Sequence, residues 1–200
     1  MHRRETVASP QDSRPPALPD NVQREEIQGI EDGAGPLFHR CYRTRIRNAR
    51  WSANELMERI TAEPNVVAPT EFARFIKVRG ERDRMQIGDE FTVRMPGPWD
   101  GPVRVVDVGP GSFRLATLDG HLEAGQIEFR AYEDDDLVFE IESWARSGDR
   151  LSSLLFDRLR IAKEIQLHMW ISVLERTTKL VGGSRVGLSS IETRRIDIDA

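Results

Sequence analysis

The sequence predicts an α+β fold in which a curved antiparallel β-sheet meander grips a long C-terminal α-helix, with one or two short helices after the first strand. Three observations carry this prediction. From Phe72 onward the pattern has a period of two, in the short runs "EFTVRM", "VRVVDV", "SFRLATL", "HLEAGQIEFRAY" and "DLVFEIESWAR", all rich in strand formers. The links between them, "PGPWDGP", "GPG", "DG" and "EDDD", are too short for a parallel crossover, so neighbours pair antiparallel. Behind them, "GDRLSSLLFDRLRIAKEIQLHMWISVLERTTKLVGG" repeats apolar residues at helical spacing.

The elements follow in order. "LFHRCYRTRI", Leu37 to Ile46, mixes aromatic and β-branched residues as a strand does. "SANELMERI" begins with Ser52 and carries Glu55 three residues later, the reciprocal pairing of a capping box. That helix ends by Pro64, whose ring removes a donor and clashes with the preceding turn. After the meander, Leu151, Leu155, Ala162, Ile165, Met169 and Val173 lie near one helical face, widened by Leu154, Ile161, Leu167, Ile171 and Leu174. Asp149 is a suitable cap and Gly182 a left-handed stop. About thirty residues at ~1.5 Å each give a rod of ~45 Å, long enough to cross a whole sheet. Its wide apolar face needs a large partner, and the meander is the one available.

The two ends look different. Pro10, Pro15, Pro16 and Pro19 crowd the start, where few large apolar side chains offset the entropy of ordering. "GGSRVGLSSIETRRIDIDA" follows the glycine stop without a sustained period. The expected division is a flexible arm over 1–35, one domain over 36–181 and a flexible tail over 182–200.

Composition narrows the function classes. The chain has 200 residues, 38% hydrophobic and 31% charged, which suits one soluble domain with some unpacked chain. A single cysteine, Cys41, excludes an internal disulfide framework and a cysteine-rich metal cluster. No apolar run approaches the ~18 residues of a membrane span, and "MHRRETVASPQDSRPP" lacks the apolar segment of a secretory signal, so a cytoplasmic location is expected. A net charge of -4 disfavours a nucleic-acid partner, whose phosphates call for a basic surface. No sequence signal calls for a cofactor, and none bears on oligomeric state.

This order of elements resembles the helix-grip fold of the START-like superfamily, which includes lipid-transfer domains, plant hydrophobic-ligand binders and polyketide cyclases. "FRLATLDGHLEAGQIEFRAY" followed by "LVFEIESWARSGDRLSSL" is similar to a more specific group, a family of bacterial and plant proteins known only as a domain of unknown function. Its recurring turn, Thr-Leu-x-Gly-His-x-Glu-x-Gly, is matched by Thr117, Leu118, Gly120, His121, Glu123 and Gly125. Gln126 stands where family members often carry an acid, and "ARSGD" lacks their usual proline. The resemblance covers about Leu37 to Leu180 and is strongest from Phe113 to Arg150. It brings no established activity.

Candidate site residues start with His121 and Glu123. On an unbroken strand they share a face with Ile127 and Phe129 and point into the space under the helix, where they would serve as general acid and base. A two-residue type I′ hairpin at Asp119-Gly120, however, sets Phe113 and Leu115 on the face opposite Ile127 and Phe129. A β-bulge at Gly125 would reconcile the strands and turn His121 and Glu123 outward. Both orientations stay open at this point. Two candidate ligands are too few for a metal, and His39 and His168 bear no sequence relation to them.

A curved sheet on a long helix leaves room for an apolar cavity, for which Phe91, Val93, Phe113, Leu115, Phe129, Phe139, Ile141, Ile165, Met169 and Trp170 are the candidate lining. Trp144 is a further aromatic of this kind, and Trp99 sits where it would cover a mouth. Arg43, Arg45 and Arg47 share one strand face, either paired with acids such as Glu140 and Glu142 or forming an anion-binding wall. Cys41 reads as an inert thiol and His168 as an edge histidine of the helix. The leading expectation is a noncatalytic module for a small hydrophobic ligand. The alternatives are a cyclase- or hydrolase-like enzyme using His121 and Glu123, or an interaction module whose cavity is filled.

Overall fold

Strand-forming sequence from both ends and the middle of the chain assembles into one sheet. The computed structural model describes residues 2–7, 13–95, 100–148 and 156–197, and for 156–165 the backbone only. The strands are β1 (His2–Val7), β2 (Gly33–Arg47), β3 (Arg74–Arg79), β4 (Glu90–Arg94), β5 (Asp100–Gly109), β6 (Ser112–Thr117), β7 (Glu123–Asp134), β8 (Asp136–Gly148), β9 (Ser184–Arg185) and β10 (Ser190–Ile196). The helices are α1 (Ala53–Ala62) and α2 (Phe156–Leu180). The sheet order is β1-β10-β2-β8-β7-β6-β5-β4-β3, with β9 also on β2. From β3 to β8, sequence neighbours are spatial neighbours and antiparallel, which is the meander.

Alternation assigns the faces. Tyr42, Ile141, Phe129 and Phe113 stand in one cross-strand row and Thr44, Phe139 and Ala131 in the next, all on the concave side. Both helices pack there in one apolar core. The α1 cap forms as its sequence requires: the Glu55 N–H donates to the Ser52 hydroxyl at 3.3 Å while the Ser52 N–H donates to the Glu55 carboxylate at 2.8 Å. Leu56, Met57 and Ile60 are buried from α1, and Met169, Trp170, Val173 and Leu174 from α2. Trp170 meets Phe129 edge-on at 5.7 Å and Tyr42 at 6.4 Å. Gly182, at φ +67°, follows the C-terminus of α2, and its N–H donates to the Lys179 carbonyl. The proposed cap Asp149, together with Leu151, Leu154, Leu155 and Trp99, lies outside the described residues.

Among the described residues, segments of both expected arms join the sheet. β10 hydrogen-bonds antiparallel to β2, burying Ile191 and Ile196, and β1 adds parallel to β10. Both segments are polar and irregular in sequence, so their order comes from the edge they meet. Residues 13–32 form a strap across the convex face, held by arginines that reach its carbonyl groups. Arg104, 2% exposed, donates through Nη1 to Gln23 and Glu25 at 3.0 and 2.7 Å, and through Nε and Nη2 to Glu90 at 3.0 and 2.7 Å. Arg114 donates to the Ala17 carbonyl, and Arg146 to those of Ile30 and Gly35.

The link between β6 and β7 also departs from expectation. Their pairing stops at Ala116 and Gln126, because the strap threads Gln28 between the strand ends: the Gln28 N–H donates to Thr117 O at 2.8 Å and the Gly125 N–H to Gln28 O at 3.0 Å. Asp119-Gly120 therefore sits in a reverse turn closed by His121 N–H to Leu118 O, with only Gly120 at positive φ, and not in a two-residue type I′ hairpin. The wide link lets Phe113 face Phe129 and Leu115 face Ile127 without a bulge, and the β7–β8 register runs unshifted through Gly125.

Two stability predictions follow from these contacts. Arg104→Met leaves the half-buried Glu90 carboxylate with the exposed Arg79 as its one remaining cation and frees the strap, so urea unfolding should show a loss of about 3 kcal/mol, with faster amide exchange at Gln28. Gly125 holds φ +153°, and a Cβ there would lie 1.9 Å from the Trp144 carbonyl oxygen. Gly125→Ala should therefore cost about 3 kcal/mol or more by the same measurement.

Candidate functional site

Cover over the concave face is uneven among the described residues. α1 and the C-terminal half of α2 cover Phe139 and Ile141, which are fully buried. At the end where β7 begins, Val93, Ile127 and Leu167 are only half-buried although they belong to the same apolar cluster. This is where His121 and Glu123 stand. The β7 alternation keeps Glu123 on the face of Ile127 and Phe129, and its carboxylate accepts from Gln166 Nε2 of α2 at 2.9 Å. The His121 ring lies against Gly101, where a Cβ would come within 2.9 Å of Nε2. Both side chains thus face the helix side of the sheet, the inward orientation of the two left open.

Hydrogen bonding assigns the histidine tautomer. Nδ1 lies 2.9 Å from both the nitrogen and the carbonyl oxygen of Glu123. That carbonyl already accepts from Gln28 Nε2 at 3.2 Å, whereas the N–H is given Nδ1 as its acceptor. The arrangement that satisfies every group puts the proton on Nε2. Burial lowers the His121 pKa from its ordinary value, against the raising effect of the Glu123 carboxylate. The ring is therefore a neutral donor through Nε2. A free imidazole lone pair, which a general base needs, is absent from this arrangement.

Tyr42 adds a second fixed donor. Burial pushes its hydroxyl up to about 12, with Arg40 lowering it and Glu123 raising it, so it keeps its proton at neutral pH. Gln28 supports the turn from below, donating through Nε2 to the carbonyls of His121 and Glu123 at 3.2 Å each. Gln28, Tyr42 and Gln166 were not among the sequence candidates. The one signal for them is a polar residue on an otherwise apolar face, which applies to Tyr42 and Gln166. Nothing local marks Gln28.

The remaining candidates separate. Phe91, Val93, Phe113, Leu115, Phe129, Phe139, Ile141, Met169 and Trp170 do join one cluster, but all except Val93 are buried core residues, Phe139 and Ile141 completely so. The Ile165 side chain lies outside the described residues. Trp144 is on the convex face, stacked on His39 at 5.2 Å. Arg43, Arg45 and Arg47 pair with Glu140, Asp134 and Asp136, so the arginine wall is neutralised by acids of the neighbouring strand and turn. Burial, and next the charge of Glu140, push the Cys41 thiol up to about 12, out of the range of a reactive thiolate. His168 is exposed. Among the described residues no group of three or more His, Cys, Asp or Glu is placed to hold a metal, and no helix is long and apolar enough to cross a membrane.

A model of the family described as Domain of unknown function (DUF1990) matches residues 70–176. No curated protein matches the chain. Among solved structures, the di-domain ARO/CYC StfQ from the steffimycin biosynthetic pathway is similar with a TM-score of 0.53 at 11% identity, over 76% of this chain and 52% of that one. The chain thus spans about half the length of that protein. Major latex-like protein 151 from Panax ginseng is similar with a TM-score of 0.50 at 14% identity, over 72% of this chain and 98% of that one. At such identities the likeness is one of fold, the START-like helix-grip arrangement of a large antiparallel sheet and a C-terminal helix.

The histidine assignment has a pH consequence. With its folded pKa below the ordinary 6.5, His121 stays neutral in the folded chain while the unfolded chain takes up the proton. Its contribution to stability is whole above about pH 6.5 and is lost as pH falls toward the depressed folded value. Unfolding midpoints should therefore decline below about pH 6.5, and His121→Asn should flatten that part of the profile. Ring 15N shifts at pH 7.5 should report the Nε2–H tautomer.

Proposed function

The chain belongs to the DUF1990 family of domains of unknown function, and from that premise we propose that it is a small-molecule-binding module, holding a hydrophobic or amphipathic ligand between its sheet and C-terminal helix. One observation supports this reading: on the concave face, half-buried Val93, Ile127 and Leu167 of the apolar cluster stand on the same side of the sheet as the polar groups of His121, Glu123 and Tyr42. Binding sites have this make-up, an apolar surface with a few oriented donors and acceptors. His121 Nε2–H and the Tyr42 hydroxyl offer protons, and the Glu123 carboxylate accepts them.

The same polar groups favour binding over proton transfer. A catalytic acid and base exchange protons near neutral pH, and their pKa values are drawn toward it. Here burial drives His121 and Tyr42 away from their charged forms, and Nδ1 is committed to the backbone. Such groups orient a ligand without reacting with it.

Native mass spectrometry of the purified chain should reveal a bound apolar molecule or accept one from a panel. At a free concentration near 100 times Kd the ligand should raise the melting temperature by roughly 5–10 °C, the effect of about 2.7 kcal/mol on a chain of this size. Ile127→Trp should fill the open end and remove the shift while the chain stays folded. A panel with neither retained mass nor stabilisation would remove the proposal.

A further inference from the structure

Arg40 is a charge on the concave face that the site above does not use. Arg40 shares the alternation of Tyr42, Thr44 and Ile46 and is 9% exposed. Its neighbours across the sheet are Thr193 on β10 and Ser143 on β8, 7% and 6% exposed. The same row continues through half-buried Ile127 to Leu115. A buried polar triplet, Thr193–Arg40–Ser143, thus borders the half-open apolar surface.

Arg40 is matched by no acid among the described residues. Its guanidinium rests over the Phe38 ring at 4.7 Å, a contact that stabilises the cation without neutralising it. The other deeply buried arginines each have an acid: Arg104 has Glu90 and Glu26 with two carbonyls, and Arg114 has Asp107 at 3.8 Å and the Ala17 carbonyl, though its Nε and Nη1 find no partner. The acids facing the same hollow are engaged elsewhere. Glu5, two strands away on the row, lies 4.0 Å from Arg3, and Glu123 is held by Gln166. A guanidinium stays charged at every pH at which proteins fold, and burying it without a counter-charge opposes folding. Without an acid partner among the described residues and beside an apolar surface, its guanidinium is placed to receive an anion.

We infer that Thr193, Arg40 and Ser143 form a subsite for the carboxylate of an apolar monoanionic ligand. This rests on the binding-module reading and names the class of molecule it takes. A planar carboxylate matches the guanidinium fork with two parallel hydrogen bonds, and the flanking hydroxyls reach its remaining lone pairs. The apolar body then runs along Ile127 toward Val93 and Leu167. A phosphate dianion fits less well, because its second charge finds no buried cation while Glu5 and Glu123 face the same hollow.

The test compares decanoate with decanol, equal in chain and different in head group, by calorimetry on the full chain at pH 7.5. The subsite predicts that decanoate binds the wild type about tenfold to a hundredfold more tightly than decanol, as expected for a charge-assisted pair. Arg40→Gln should bring decanoate down to the level of decanol, Arg40→Lys should restore part of the difference, and Thr193→Val should weaken decanoate alone. Arg40→Gln should also melt no earlier than wild type, since it removes an unmatched buried charge. Equal binding of both probes to wild type and Arg40→Gln overturns the subsite and leaves the binding module standing. Binding of neither probe overturns the subsite, and the module falls with it only if the wider apolar panel also fails. A large drop in melting temperature on Arg40→Gln assigns Arg40 an internal partner and overturns the proposal as well.

Discussion

The arrangement of the concave face depends on one interposed residue. Gln28 lends its N–H to Thr117 and its carbonyl to Gly125, filling the place where β6 and β7 would otherwise pair. The strands stay one residue-pair short of each other, and the Thr117 hydroxyl completes the closure on Gly125. Because the link is wide, the apolar residues of both strands meet on the helix side in register. Because Gln28 also holds the carbonyls of His121 and Glu123, the turn above it keeps one shape. Strap, register and site geometry share that anchor.

The two faces of the sheet solve different problems. The convex face carries a charge lattice in which Glu140, fully buried, is held between Arg43 and Arg130, and Glu142 between Arg130 and His39. Burial works to raise the Glu142 carboxyl, but the hydrogen bond to His39 and the charge of Arg130 outweigh it and hold it below the usual range. Such lattices are internally neutralised and leave little to attract a ligand. The concave face is mainly apolar, and its few polar groups form no such lattice of paired charges among the described residues. That contrast separates structural charge from charge available for recognition.

Much of this was legible in the sequence where the signal is local. Period-two runs and short links specify the meander, the capping box specifies the start of α1, and the apolar stripe specifies α2. The terminal segments were not legible: "SSIETRRI" becomes a strand only against β2, and the strap is ordered by arginines that lie far from it in sequence. At the site, His121 and Glu123 were visible as a motif, but their direction hinged on the width of a link that Gln28 sets from about ninety residues away. Phe139 and Ile141 read as lining because strand parity gives a face, whereas α1 and α2 decide which part of that face stays open. Arg40 stands close to Arg43, Arg45 and Arg47 in sequence, yet the alternation puts it on the other side of the sheet.

β2 takes β8 on one flank and β10 on the other, with most of the chain lying between these two partners. During synthesis the second flank stays an unfinished margin until the ribosome has passed Ile196, long after the meander is able to fold. A growing polypeptide therefore presents the backbone of β2 to its surroundings for most of its production. Molecular chaperones that shield such margins would have their natural point of engagement there.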